Sequence, residues 1–258
     1  MRDTLLLAAE TAGRILLEKL EAGVTVAYKG AIDLVTEADV AAEQAIVAIL
    51  RARHPDHDIL AEEGDYGHRG ADQRWIVDPL DGTTNFAHGF PWFAVSIALE
   101  VRGEVVLGAV LNPHNRELFV AESGRGATLN GRPLQVSTTA TLERALLATG
   151  FAYDHKVNPA NNYTAFAAFQ RQAQAVRRAG VASLDLACVA AGRFDGFWEL
   201  KLKPWDVAAG VLLVTEAGGL VSDYAGAPMP LDRGEILASN GHLHAAMQQV
   251  LRQDGEGR

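Results

Sequence analysis

The chain has 258 residues, 48% of them apolar and 21% charged, with a formal net charge of -9. That length and balance suit one large folded unit, or two closely joined subdomains, and exclude a disordered chain. The acidic charge argues against a general nucleic-acid binder, because affinity for a phosphate backbone comes mainly from lysines and arginines that neutralise it.

The first apolar stretch, Leu5 to Ala9, is flanked by Asp3, Glu10 and Arg14, while Leu6, Leu7, Ile15 and Leu17 keep close to helical spacing. It predicts an amphipathic helix over 2–22 that stops near Gly23, not a signal peptide. No run reaches the roughly 18 apolar residues that a membrane span needs. A second helix is expected over 37–53, ended by His54-Pro55. Residues 58–62 and 74–79 read as strands that feed loops at Glu62-Glu63-Gly64 and Asp78-Pro79-Leu80-Asp81-Gly82. Alternating apolar residues from 93 to about 135 predict hairpins, with Gly108, Gly124, Gly126 and Gly131 as turn markers, and 145–149 reads as a short strand. The second half alternates helices near 159–174, 183–192, 205–217 and 241–252 with strands near 194–199, 219–223 and 235–239. The pattern is α+β followed by α/β in stacked layers, with an N-terminal subdomain over 1–145 and a C-terminal one over 146–258.

Cys188 is the sole cysteine; its apolar surroundings, Leu186 to Ala190, predict a buried structural thiol, and the count fits a reducing cytoplasm. An acidic protein that binds an anion needs a local cation, for which a metal ion is the obvious candidate. The segment from Trp75 to Phe86 is the most informative. A hydrophobic strand delivers Asp78 to a loop edge, Asp81 follows three residues later, and Gly82-Thr83-Thr84 comes next. If Gly82 and Thr83 open a helix, their amides can receive a phosphate beside two carboxylates of the kind that magnesium takes. The plain alternative is an Asp-Gly turn with Asp81 as a helix cap. Glu62 stands at the end of another strand, and its role depends on two strands delivering acids to one edge; Glu63 reads as solvated. Asp206, after Lys203-Pro204-Trp205, is equally a first-turn helix acid favoured by the dipole. Asp39 is either part of an acidic capping box with Thr36 or the acceptor of the Thr83 hydroxyl. Nucleotide-binding P-loop, serine-hydrolase elbow and dinucleotide fingerprints are absent.

Asp78-Pro79-Leu80-Asp81-Gly82-Thr83-Thr84-Asn85-Phe86 resembles the first signature of the inositol monophosphatases. Trp205-Asp206-Val207-Ala208-Ala209-Gly210, followed by Glu216-Ala217-Gly218-Gly219, resembles the second. Asp33 through Asp39, Glu62-Glu63 and Ala191 to Gly196 fall in the family's order and spacing, so the resemblance covers nearly the whole chain. It implies a layered α-β-α-β-α sandwich of the inositol monophosphatase and fructose-1,6-bisphosphatase type, homodimeric, magnesium-dependent with two or three ions per site, and lithium-sensitive. Carried over by position, Glu62, Asp78, Asp81, Asp206, the Leu80 carbonyl and the Thr83 hydroxyl would bind metal. Gly82 and Thr83 amides would hold phosphate. Glu62 and Thr83, with Asp39 behind, would position and deprotonate the attacking water in a direct in-line displacement. Lys29 falls on a flap that closes over the site, Glu199 would bind inositol hydroxyls, and Gly180, Val181 and Ala182 would line the sugar.

The implied substrate is a small phosphorylated polyol, myo-inositol monophosphate foremost, with no nucleic-acid or membrane partner. Relatives of that superfamily act on fructose 1,6-bisphosphate, histidinol phosphate or nucleotide phosphates. Two departures bear on the choice: Lys201 stands where the family often has glycine, and Lys203 where animal enzymes carry histidine. The two lysines either welcome a second phosphate or are exposed strand-end residues. The rival from another class is an interaction protein built on the same scaffold.

Overall fold

A computed structural model of the chain describes residues 1–23, 26–28 and 34–255, with side chains over 1–23 and 36–252. Lys29 and Asp33, singled out above, lie outside the described residues. Helix α1 (Arg2–Ala22) is followed by a small antiparallel pair, β1 (Val26–Tyr28) and β2 (Leu34–Thr36), and by α2 (Glu37–Arg53). A seven-stranded sheet comes next: β3 (Asp58–Ala61), β4 (Gln73–Asp81), β5 (Ala94–Val101), β6 (Glu104–Asn112), β7 (Glu117–Glu122), β8 (Ala127–Leu129) and β9 (Arg132–Pro133), hydrogen-bonded in that order. The short helix α3 (Thr83–Ala87) interrupts it between β4 and β5. The second half contributes β10 (Leu146–Thr149), α4 (Tyr163–Gln172), β11 (Ala175–Arg177), α5 (Ala182–Ala190), β12 (Gly196–Leu200), α6 (Pro204–Glu216), β13 (Leu220–Ser222), β14 (Glu235–Ser239) and α7 (His244–Gly255). Its five strands run in the order β11-β10-β12-β14-β13.

Strand periodicity sorts the side chains into layers. In β4 and β5, Trp75, Val77, Val95, Ile97 and Leu99 pack with Leu5, Leu16, Ile46 and Leu50 of α1 and α2. The intervening Ile76, Ala94 and Ala98 face the opposite way and pack with α5 and α6, as the two-residue repeat of a strand requires. The same central core continues into Phe197, Ile236 and Ala238 of the second sheet, whose far face buries Leu147, Trp198 and Leu237 against Phe169 of α4 and Met247 of α7. The order of layers is therefore α1/α2, seven-stranded sheet, α5/α6, five-stranded sheet, α4/α7. The two halves meet through α5 and α6, which are continuous with the cores of both sheets.

Most elements match the sequence pattern, although it does not predict β1, β2 or β11, and two further differences are instructive. Gly108, expected in a turn, lies inside β6. A Cβ there would come within 3.0 Å of the Ala209 Cα, so the glycine lets α6 settle on the sheet. Helix α4 begins at Tyr163, later than the predicted 159, because Asn158 and Asn161 side chains accept from the amides of Ala160 and Tyr163 and hold the preceding residues in turns. Cys188 is buried on α5, and burial pushes its thiol up to about 12, which makes it an inert structural thiol.

A Gly108→Val variant, which forces α6 away from β6, is expected to lose about 1–3 kcal/mol. Urea unfolding that shows a lower midpoint at unchanged slope would bear this out.

Candidate active site

Two adjacent strands bring the first acids together. β3 and β4 run parallel with Ala61 paired to Val77, so Glu62, just past the end of β3, comes alongside Asp78, which is still in β4 and paired with Ser96 of β5. The register of β4 against β5 then shifts between Asp78 and Asp81, and such an irregularity re-aims the side chains that follow. Asp78 Oδ1 accepts from the Leu80 amide at 3.0 Å, which closes the turn locally. Gly82 caps α3 at φ 96 and ψ 37, a left-handed conformation that glycine adopts without strain. A Cβ at Gly82 would also lie 2.7 Å from Cγ2 of Val181. Val181 is thus buried beneath the turn, as a support, and its side chain is absent from the cavity lining.

Helix starts supply the remaining acids' partners. Asp81 Oδ2 accepts from the Ser183 amide at 2.8 Å, in the first turn of α5 and 102 residues away. Unpaired amides at a helix start and the dipole both favour a carboxylate there. Asp206, three residues into α6, accepts from the Lys203 amide at 2.6 Å, so the first-turn acid read from the sequence also caps the helix. Asp39 serves both of its predicted roles at once. Oδ2 accepts from the Thr36 amide at 2.8 Å, and Oδ1 accepts from the Thr83 hydroxyl at 3.1 Å. That hydroxyl also lies 3.2 Å from the Leu80 carbonyl.

These elements enclose a cavity of about 410 Å³ lined by Glu62, Asp78, Leu80, Asp81, Gly82, Thr83, Gly180, Ala182, Glu199 and Asp206. Asp39 stands behind Thr83. The sequence pattern missed Gly150, Phe151, Tyr153 and Arg178, which share the lining. Gly150 has a definite role: a Cβ there would overlap the Glu199 carboxylate, so glycine leaves the room that the acid occupies. No motif marks these residues, since each is a single position in a loop of ordinary composition. Asn85 Nδ2 donates to the carbonyls of Trp92 at 2.8 Å and Ala179 at 2.9 Å, tying the α3 turn to the loop before α5. Both lysines are exposed at the rim, and Lys201 Nζ is held by Asp154 at 2.7 and 2.9 Å.

The electrostatics follow from crowding acids in a buried place. Burial, then Glu62, Asp81 and Asp206, hold the Asp78 carboxyl well above the usual range. Burial pushes Asp81 up to about 6 against the pull of the Ser183 and Ala182 hydrogen bonds. Asp206 rises to about 7 through burial and Asp81. Glu199 is raised by burial, Asp206 and Asp81, with Arg178 opposing. Asp185 on α5 is raised by burial, Glu199 and Asp81, and neither of its oxygens makes a hydrogen bond among the described residues. Carboxylates, a carbonyl and a hydroxyl form the oxygen-rich donor set that hard divalent cations take, and a cation would relieve the repulsion that raises Asp78. The residues therefore fit magnesium as donors. Among the described residues no three His, Cys, Asp or Glu side chains are already drawn into a closed metal cluster; the acids ring the cavity instead.

Comparison with known proteins gives one consistent answer. The inositol monophosphatase family matches residues 1–256. A protein of Pseudomonas aeruginosa named Nus factor SuhB is 51% identical, over 98% of this chain and 96% of its own. A Synechocystis inositol-1-monophosphatase is 52% identical, over 85% of this chain and 77% of its own. The solved structure of inositol monophosphatase from Anabaena superposes with a TM-score of 0.89 at 44% identity, covering 97% of this chain and 94% of that one.

The crowding makes a testable prediction about pH. Asp81 and Asp206 titrate higher in the fold than their ordinary 3.8, so the folded state binds more protons between about pH 4 and 7. Their contribution to stability is present at low pH and is lost as pH rises through that window. His54, His57 and His244, held below their usual range by burial, slope the other way. An Asp206→Asn variant, compared with the parent in chelator, isolates the acid term. The stability difference is expected to move in the variant's favour as pH rises from about 4 to about 7, by urea unfolding at each pH.

Proposed function

The chain belongs to the inositol monophosphatase family and is a phosphoric monoester hydrolase, and from that premise we propose that it hydrolyses myo-inositol monophosphate to inositol and phosphate with magnesium. The observation that carries the reading is the convergence of Glu62, Asp78, Asp81 and Asp206 on one cavity with Gly82, Thr83 and Glu199. Glu62, Asp78, Asp81, Asp206, the Leu80 carbonyl and the Thr83 hydroxyl would hold the ions. Bound magnesium would lower the pKa of water, neutralise phosphoryl oxygens and stabilise the departing alkoxide.

The chain's own groups do the rest. The amides of Gly82 and Thr83 receive the phosphate at the α3 turn. Asp39, accepting from the Thr83 hydroxyl, fixes that hydroxyl's proton and leaves its lone pairs for the water side of the cavity. Glu62 holds the attacking water in line with the scissile bond and takes its proton. Glu199, in the space left by Gly150, accepts hydrogen bonds from substrate hydroxyls, with Gly180 and Ala182 beside the ring. Capture of Lys201 by Asp154 leaves Lys203 as the lysine at the rim without that tether, which supports a monophosphate over a bisphosphate. The homodimer and the lithium sensitivity implied by the resemblance belong to the same proposal, as does the cytoplasmic setting that the single cysteine fits. No helix among the described residues is long and apolar enough to cross a membrane.

A second role is favoured by one finding: several relatives, the Pseudomonas protein among them, are named Nus factor SuhB. The net charge of -9 makes a protein a better direct contact for such a role than nucleic acid. A folded, inactive variant separates the two roles, because an assembly function survives the loss of hydrolysis.

Asp81→Asn is expected to lower magnesium-dependent phosphate release by at least about 100-fold with the fold intact, read by phosphate assay and circular dichroism. Glu199→Ala is expected to cost about 10- to 100-fold in kcat/KM for inositol 1-phosphate, the worth of a charged hydrogen bond, with far less effect on an aryl phosphate. Across a phosphate-release panel, inositol 1-phosphate should outrank fructose 1,6-bisphosphate in kcat/KM; the reverse order overturns the substrate assignment.

A further inference from the structure

Glu62 follows the last residue of β3 and stands on a loop, so something outside the sheet must fix its position. Glu43, on α2 and 2% exposed, does this with both carboxylate oxygens. Oε2 accepts from the Glu63 amide at 2.9 Å, and Oε1 accepts from the Tyr66 hydroxyl at 2.9 Å. Arg51, two turns further along the helix, donates to the Tyr66 carbonyl at 2.8 Å. The Tyr66 ring in turn packs over Gly64, where a Cβ would lie 2.8 Å from it. The loop after β3 is thus clamped to α2 at three points, two of them through Glu43.

One turn earlier on the same helix, Asp39 accepts from Thr83. Four residues of helix rise about 6 Å, and residues at that spacing share a face. The two arms that flank the cavity, the Glu62 loop and the α3 turn, are therefore both anchored on buried acids of one rigid helix. We propose that Glu43 is a positioning residue for the metal site: it sets where Glu62 stands relative to Thr83 through the Glu63 amide and Tyr66. The inference rests on the reading of Glu62 as a ligand. A group hydrogen-bonded directly to a ligand commonly governs metal affinity by about 10- to 100-fold, and Glu43, which acts through the neighbouring amide, belongs at the lower end of that range.

The test is manganese binding by titration calorimetry to the full chain stripped of metal, together with hydrogen exchange at the Glu63 amide. Glu43→Ala is expected to bind manganese at least about tenfold more weakly and to lose protection at Glu63. Glu43→Gln keeps an oxygen for the Glu63 amide and can turn an N–H toward the Tyr66 hydroxyl, so it should stay within about threefold of the parent. Tyr66→Phe removes one of the two bonds and should fall between them; it carries the test if Glu43→Ala does not fold. Parental manganese affinity in Tyr66→Phe, or in a folded Glu43→Ala, overturns the inference, and so does a Glu43→Gln variant as weak as Glu43→Ala. If the parent itself binds no manganese, the metal reading falls first and the inference with it.

Discussion

The arrangement turns on like-charge repulsion in a confined space. Two carboxylates about 4 Å apart repel by about 4 kcal/mol at an effective dielectric of 20, and this cavity gathers Glu62, Asp78, Asp81, Asp206 and Glu199. The fold accommodates them in three ways. Burial shifts the acids toward their neutral forms, as at Asp78 and Asp206. Helix starts supply amides, as α5 does for Asp81 and α6 for Asp206. A divalent cation would relieve the residual repulsion, and would let an anionic group approach an otherwise hostile surface.

The layered architecture explains why the acids meet where they do. Parallel pairing of β3 with β4 aligns Glu62 with Asp78, while close seating of α6 at Gly108 brings its first turn to the same edge. The Ser96 hydroxyl, donating to the Trp205 carbonyl at 3.2 Å, ties that turn to β5. Packing in the core and chemistry at the edge are thus consequences of the same contacts.

Much of this was legible in the chain itself, because Asp78 to Phe86 and Trp205 to Gly210 combine strand, turn and helix-start patterns that demand particular residue types. The choice between bland and functional readings was less legible, and at Asp39 it proved a false choice, since one carboxylate has two oxygens and caps α2 while holding Thr83. Residues that act through long-range contact left no local signal. Ser183 looks like an ordinary first residue of an apolar helix, Glu43 like an ordinary helical glutamate, and Gly150 like any loop glycine. Their significance depends on partners 102, 20 and 49 positions away. Gly108 misled for the same reason, because the close approach that requires it comes from α6.

The continuous core through α5 and α6 constrains how the cleft can breathe. Swinging the N-terminal and C-terminal halves apart would expose Val110, Phe119, Leu186 and Leu213 to water together, a large penalty for a domain of ordinary stability. Hinge opening is therefore disfavoured, and entry and exit of small molecules fall to the peripheral segments that border the mouth, such as the turns around Tyr153.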